Sequence, residues 1–280
     1  MVRYKQYVHI AFVSLLFLAF FFPSRIFADI SVGAITVSPD DDGGTGGVQV
    51  NPLAGMVKQV NASAIVTETN GYAAIDQTPG IGVCQWNYSG GAQLYLTNIA
   101  WSDCAENTCN AFCQANFQFY DNATDYVVTM IAYNTSASLA SNNSIITYTE
   151  LVAISLGSPV LNFGAFAPSK GHGKSNQTEV ITNLGNVLID IQVNGTNMNH
   201  SSLSALIPVG KINYDITSDA MASETPLTLT PTLVGTFNLL QGASSTKNTW
   251  WDIHVPSGTD QWIPAGTYTG RITIIGVKDP

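Results

Sequence analysis

Residues 248–277 carry the most regular pattern in the chain, an alternation of apolar and polar side chains with a period of two. This period is typical of a β-strand with one buried face, and the segment predicts two such strands joined by a polar turn. The side chains expected to face inward are Trp251, Ile253 and Val255 in the first strand and Tyr268, Ile272 and Ile274 in the second. A sheet with one apolar face needs a second layer to cover it, so the segment predicts a β-sandwich.

The same alternation recurs along the chain, which indicates an all-β protein. A Gly-Ser-Pro break at residues 157–159 separates two sets of predicted strands. We therefore predict two tandem immunoglobulin-like β-sandwich domains, one over residues 48–154 and the other over residues 155–280. They follow a predicted N-terminal strand and a Gly/Asp-rich tether, which together span residues 29–47.

Two local features are predicted inside these domains. Residues 180–193 are expected to form a hairpin that turns at the Asn-Leu-Gly-Asn sequence of residues 183–186. Tyr126 and Tyr268 each open a strand late in their predicted domain. That is the position of a tyrosine corner, in which the hydroxyl stabilises a sandwich by bonding to upstream backbone.

Residues 1–28 have the composition of a secretory signal peptide. Arg3 and Lys5 precede an apolar run at residues 10–22, and Ala28 is a small residue at the expected cleavage site. The alternative is a retained membrane anchor, but the run is short for a span of about 20 apolar residues. The chain is therefore predicted to be secreted and associated with the cell surface, with no membrane span after cleavage.

The charge balance argues against a nucleic-acid partner. The whole chain has 10 Lys and Arg against 19 Asp and Glu, a formal net charge of −9. Residues 1–28 hold three basic and no acidic residues, so cleavage leaves 7 basic and 19 acidic residues and a net charge of −12. Binding to a phosphate backbone needs clustered Lys and Arg, which this chain lacks.

Four cysteines lie in the first predicted domain: Cys84, Cys104, Cys109 and Cys113. An even number in an exported protein predicts two disulfides, and three pairings remain open. Cys113 is expected to face the core, and Cys104 can pair with Cys109 only if the short loop between them folds back. A metal site is the alternative, but the spacing is not that of a zinc ribbon and no histidine lies nearby.

No motif in the chain predicts catalysis. Residues 171–175 end like a phosphate-binding loop, but Pro168 stands where that motif needs a glycine. The histidines are scattered, and there is no G-x-S-x-G nucleophile turn. We expect a protein that is not an enzyme, with no cofactor and no bound metal.

Two kinds of surface site are predicted. Trp250 and Trp262 are candidate contact aromatics, because Trp250 is out of phase with the inward residues of its strand. Eight Asn-x-Ser/Thr sequences could carry glycans in a host that has the transferase. Their asparagines are Asn61, Asn87, Asn122, Asn134, Asn142, Asn176, Asn194 and Asn199.

Residues 30–38 are predicted to form a strand that a glycine-rich tether separates from the first domain. Pairing with the edge of its own domain is expected first, because short tethers usually return to the nearest edge. The alternative is that this strand completes the open edge of another copy. Repeated head to tail, that contact would build a filament.

Three segments resemble immunoglobulin-like β-sandwich modules of secreted archaeal and bacterial cell-surface proteins, a broad group that includes fibre formers of the camelysin and TasA kind. They are YDNATDYVVTMIAYN at 120–134, ITNLGNVLIDIQVNGT at 181–196 and WWDIHVPSGTDQWIPAGTYTGRITIIG at 250–276. The resemblance implies an extracellular structural or adhesive role, including that of a filament subunit, with other surface proteins or copies of the chain as partners. It carries over no catalytic residues. A glycan-binding module is the alternative function.

Overall fold

A computed structural model describes residues 29–43, 46–89, 91–165, 173–217, 224–254 and 263–279, except for the side chains of 173–176. The predicted signal peptide lies outside these residues. The described chain consists of β-strands, connecting turns and two short 3₁₀ segments, Tyr72–Ala74 and Val209–Lys211. The all-β prediction is therefore confirmed.

Ten strands between Asp29 and Thr149 form two sheets around one core, which we call the first unit. Their bounds are β1 Ile30–Val32, β2 Thr36–Ser38, β3 Val48–Val50, β4 Lys58–Glu68, β5 Val83–Tyr88, β6 Gln93–Asn98, β7 Ala100–Ala105, β8 Thr108–Phe117, β9 Thr124–Tyr133 and β10 Leu139–Tyr148. One sheet has the order β1-β4-β8-β7, with β2 also paired to β4, and the other has the order β3-β10-β9-β5-β6. Only the pairing of β3 with β10 is parallel among these strands.

Eleven further strands in the described residues form the second unit. They are β11 Ile154–Leu156, β12 Gly173–Asn183, β13 Ile189–Gly195, β14 Met198–His200, β15 Leu206–Ile207, β16 Ile212–Asp215, β17 Thr225–Pro226, β18 Thr232–Leu239, β19 Thr246–Ile253, β20 Tyr268–Thr269 and β21 Ile272–Lys278. Their sheets have the orders β11-β12-β19-β16-β17, β18-β13-β21 and β15-β14-β20. No sheet of the described residues joins strands from the two units.

The side-chain alternation places the cores as the period of two predicts. In β4, Val60, Ala62, Ala64 and Val66 are buried, while the intervening residues face outward. In β19, Trp251 and Ile253 lie in the second core, and the partly buried Tyr268, Ile272 and Ile274 pack against it. Burial of these faces removes apolar surface from water, which is the main favourable term in folding.

The N-terminal segment pairs with its own unit. Residues 30–32 run antiparallel to residues 66–68, and residues 36–38 run antiparallel to residues 61–63, so that β1 and β2 together cover one edge of β4. The Asn142 amide on β10 donates hydrogen bonds to the backbone carbonyls of Val32 and Gly33, at 3.2 and 2.9 Å. Pairing with the segment's own edge, the first expectation, is therefore what the structure shows.

The hairpin predicted over residues 180–193 is wrong. β12 pairs with β11 and β19, whereas β13 pairs with β18 and β21, so the two strands belong to different sheets. The Asn-Leu-Gly-Asn sequence crosses between the sheets, and its Asn183 and Asn186 are buried. Buried amide side chains satisfy backbone groups there that a hairpin ladder would otherwise satisfy.

That crossing loop also joins the two units. The Asn186 amide group donates to the Thr149 carbonyl at 2.8 Å, and its oxygen accepts from the Leu151 N–H at 2.7 Å. Gly185 lies so close to this linker that a Cβ on it would stand 2.0 Å from the Leu151 carbonyl oxygen. From the first unit, the Gly55 N–H donates to the Leu184 carbonyl at 3.0 Å. The linker between the units is thus held by the second unit's own loop.

Candidate functional site

Among the described residues, the second unit is open along one side, where the edges of two sheets lie next to each other. β11 ends the sheet that contains β19, and β21 ends the sheet that contains β13. A Cβ on Gly276 of β21 would lie 2.9 Å from the Ile154 side chain of β11, so the two edges approach closely at that point. Away from this contact they leave a cleft of about 320 Å³.

The two walls of the cleft come from segments near the start and near the end of the second unit's sequence. One wall is formed by residues between 156 and 163, and the other by residues between 268 and 274. Glu179, Met198 and Ile212 also line it, and most of the lining residues are apolar. After β11, residues 158–165 form no strand, so this stretch covers the open side without closing it by a ladder.

β21, like β11, is a strand beside the cleft that ends its sheet. It pairs along its length with β13, from Ile189 opposite Lys278 to Gly195 opposite Ile272. Within the described residues it has no strand partner on its other side. A strand edge of this kind presents backbone donors and acceptors that another strand can use.

Among the described residues that line the cleft, Glu179 is the one with a carboxyl group, and it is only 2% exposed. Its Oε1 accepts a hydrogen bond from the Ser158 N–H at 3.0 Å, and its Oε2 has no hydrogen-bond partner in the described structure. The sequence interpretation missed this residue. The signal that could have found it is its phase, since Glu179 shares the inward face of β12 with Ile181.

Both predicted tyrosine corners form the expected hydrogen bond. The Tyr126 hydroxyl donates to the Asn122 carbonyl and the Tyr268 hydroxyl to the Pro264 carbonyl, each at 2.8 Å and each four residues upstream. Burial is the main reason that the pKa of each hydroxyl is raised above its ordinary value. Both tyrosines therefore stay neutral and able to donate this bond.

The four cysteines form two disulfides within the first unit, as predicted. Cys84 on β5 bonds to Cys113 on β8, which ties the two sheets together across the core. Cys104 bonds to Cys109 across the tight turn between β7 and β8, with their Cα atoms 4.1 Å apart. The loop between these two cysteines does fold back, which was the condition for this pairing.

The eight candidate glycosylation asparagines differ in accessibility. Asn122 and Asn199 are exposed, and Asn61, Asn87, Asn142 and Asn194 are half-buried. Asn134 is 1% exposed and its amide group donates to Glu68 at 3.2 Å, so its nitrogen is not accessible to a glycan in this fold. The side chain of Asn176 lies outside the described part of the chain.

The structure describes one of the two candidate contact tryptophans. Trp250 is half-buried on the outer face of β19, opposite in phase to the buried Trp251. Trp262 lies outside the described residues. No group of three His, Cys, Asp or Glu side chains in those residues is arranged to hold a metal ion. None of their helical segments is long and apolar enough to cross a membrane.

The sequence matches no protein-family model and no curated protein. Among solved structures, similarity is found to the CsuC–CsuE chaperone–tip adhesion subunit complex from Csu pili of Acinetobacter baumannii, with a TM-score of 0.38, 13% identity and coverage of 87% of this chain and 99% of that one. The secreted serine protease VesC from Vibrio cholerae is similar with a TM-score of 0.22 and 10% identity, and the match covers 82% of this chain and 49% of that one. An α-L-rhamnosidase from Streptomyces avermitilis is similar with a TM-score of 0.27 and 5% identity, and the match covers 89% of this chain and 24% of that one. These likenesses are weak, and they assign the chain to no family.

Proposed function

We propose that the protein is a non-catalytic extracellular surface protein with a structural or adhesive role, and that it serves as a filament subunit. Its two units would be tandem immunoglobulin-like domains that follow a cleaved signal peptide. The observation that carries this proposal is the free edge of β21 beside the open cleft. An edge strand of this kind can accept an extended strand from another chain, with main-chain hydrogen bonds supplying affinity.

Two further features support the proposal. The disulfides Cys84–Cys113 and Cys104–Cys109 suit an oxidising compartment outside the cell. The two units also differ in their edges, because β1 and β2 cover β4 in the first unit while β21 stays uncovered in the second. A contact between unlike surfaces of successive copies is heterologous, and it builds a filament when it does not close into a ring.

The test compares the assembly of two variants, each with a lysine introduced on a different edge strand of the same sheet. Ile275 on β21 and Leu233 on β18 both lie opposite Gln192 of β13, and they are 41% and 50% exposed. Lysine next to an edge discourages strand pairing. We expect Ile275→Lys to reduce assembly, measured by sedimentation and electron microscopy, and Leu233→Lys to leave it unchanged. A wild-type protein that stays monomeric at every concentration, or equal effects of the two variants, would contradict the proposal.

A second candidate function is glycan binding, because Trp250 is partly accessible on the outer face of β19. Aromatic side chains in this position can stack on sugar rings. Binding to a glycan array that is lost in Trp250→Ala or Trp262→Ala would favour this function. Arrays on which wild-type and variant proteins behave alike would favour the structural role.

A further inference from the structure

The buried carboxyl group of Glu179 is only half satisfied by the chain. It lies on β12 opposite the buried Thr249 of β19, on the inward face of its sheet. One oxygen accepts the Ser158 N–H, and the other has no partner in the described structure. A buried polar atom without a partner is uncommon in folded proteins, because its desolvation is not compensated.

No cation among the described side chains forms an ion pair with this carboxyl group. Arg271 lines the same cleft, but its side chain is exposed. The ion pairs Lys58–Asp41 and Lys278–Glu150 lie elsewhere, and neither involves Glu179. Within the described residues, Glu179 Oε2 is therefore available to accept a hydrogen bond from an incoming donor.

The surroundings of Glu179 define the rest of the ligand. Leu156, Ile212, Ile272 and Ile274 line the cleft together with it, so an apolar body would contact its walls. A volume of about 320 Å³ is at the lower end of the range for small-molecule sites. A short unbranched chain with one charged end fits both the size and the chemistry.

We infer that the cleft binds a primary alkylammonium group, with the ammonium donating to Glu179 Oε2 and the alkyl chain against the apolar walls. This chemistry is shared by a free alkylamine and by the side chain of a lysine. The inference goes beyond the filament role and does not rest on it. A charge-assisted hydrogen bond in a poorly hydrated site is among the stronger polar contacts.

The primary experiment compares charged and neutral ligands on the purified full-length protein by calorimetry and NMR. We expect n-hexylamine at neutral pH to bind saturably and 1-hexanol, its neutral counterpart, to bind at least about tenfold more weakly. The same loss is expected for n-hexylamine with Glu179→Gln, which keeps the side-chain shape but removes the charge. Glu106→Gln, a change at an exposed carboxyl group of the first unit, is the matched control and should bind like wild type.

A second arm distinguishes the two sources of the ammonium group. Tighter binding of Nα-acetyl-lysine N-methylamide than of n-hexylamine would identify a lysine side chain, and the reverse order would identify a free amine. Equal binding of n-hexylamine and 1-hexanol, no saturable binding of either amine, or unchanged affinity in a folded Glu179→Gln would overturn the inference. If that variant does not fold, the comparison of amine with alcohol on wild type decides. A negative result in these binding experiments does not change the expected effect of Ile275→Lys on assembly, so the two proposals can be refuted separately.

Discussion

The first unit covers the edge of β4 with β1 and β2 and links its two sheets through Cys84–Cys113, whereas the second unit has no cysteine and leaves β21 with a free edge among the described residues. Both nevertheless contain the same tyrosine device, with a hydroxyl bonded to the carbonyl four residues upstream. The comparison indicates that a shared corner does not decide which sheet edges a unit covers. The edge of β4 is covered because an additional segment, β1 and β2, pairs with it.

The surroundings of the two corners differ as well. Tyr126 packs in an aromatic cluster that includes Phe117, with ring centres 5.1 Å apart. Tyr268 instead contacts the ring of His200, 5.0 Å away, and a Cβ on Gly266 would stand 1.9 Å from that ring's Nε2. The first corner is therefore part of the core, and the second lies at the border of the open cleft.

The largest expected effect concerns the disulfide between the sheets. Replacing Cys84 and Cys113 together by alanine should lower the free energy of unfolding of the first unit by about 2–5 kcal/mol, because the unfolded chain gains freedom. Hydrogen exchange followed by mass spectrometry should show lost protection in β4 and β8 and unchanged protection in β13 and β21.

The matched control replaces Cys104 and Cys109 by serine. These cysteines are separated by 5 positions rather than 29, so a smaller loss is expected. Equal loss of protection in both units of the Cys84/Cys113 variant would mean that the units do not differ in the way described.

A smaller effect is expected at the linker. Asn186→Ala removes the bonds to Thr149 and Leu151 and leaves partly buried backbone groups unpaired, which should lower the free energy of unfolding by about 1–3 kcal/mol. Limited proteolysis should cut faster near residues 149–153 in this variant. The exposed Asn143→Ala is the control, and an unchanged cleavage rate in Asn186→Ala would show that the loop does not hold the linker.

The two corners provide the next comparison. Tyr126→Phe and Tyr268→Phe each remove one hydroxyl hydrogen bond, and Tyr126→Phe should lower the free energy of unfolding by about 1 kcal/mol. Tyr268→Phe should have the smaller effect, because Tyr268 is only half-buried and water can replace the lost partner. Urea unfolding of both variants measures this order, and the reverse order would refute it.

The smallest effect is a pH dependence in the first unit. Burial raises the pKa of Asp121 above its ordinary value, although hydrogen bonds from Tyr95 and from the Gln118 N–H oppose the shift. The folded state therefore favours the protonated form, and stability from this group is lost as pH rises above about 4. The unfolding free energy of wild type minus that of Asp121→Asn should therefore decrease as pH rises above about 4. A difference that grows with pH would contradict the sign.

Much of the fold was predictable because strand periodicity is local. The inward residues of β4 and β19 follow from a period of two that any half-buried strand must obey. The tyrosine hydrogen bonds were also predictable, since each spans only four residues. The even cysteine count and the composition of the N-terminus indicated the number of disulfides without their pairing.

The sequence by itself thus determined that the chain is all-β, which faces of its strands are buried and that its cysteines suit an oxidising compartment. Only the tertiary structure decided that β12 and β13 lie in different sheets, that residues 30–38 cover β4 and that Cys84 pairs with Cys113. It also decided that Glu179 lines a cleft between strands far apart in the chain. The physical reason is that the phase of a side chain depends only on its neighbours in the sequence. Strand pairing instead requires that long loops close, and alternative pairings of the same strands differ little in local energy.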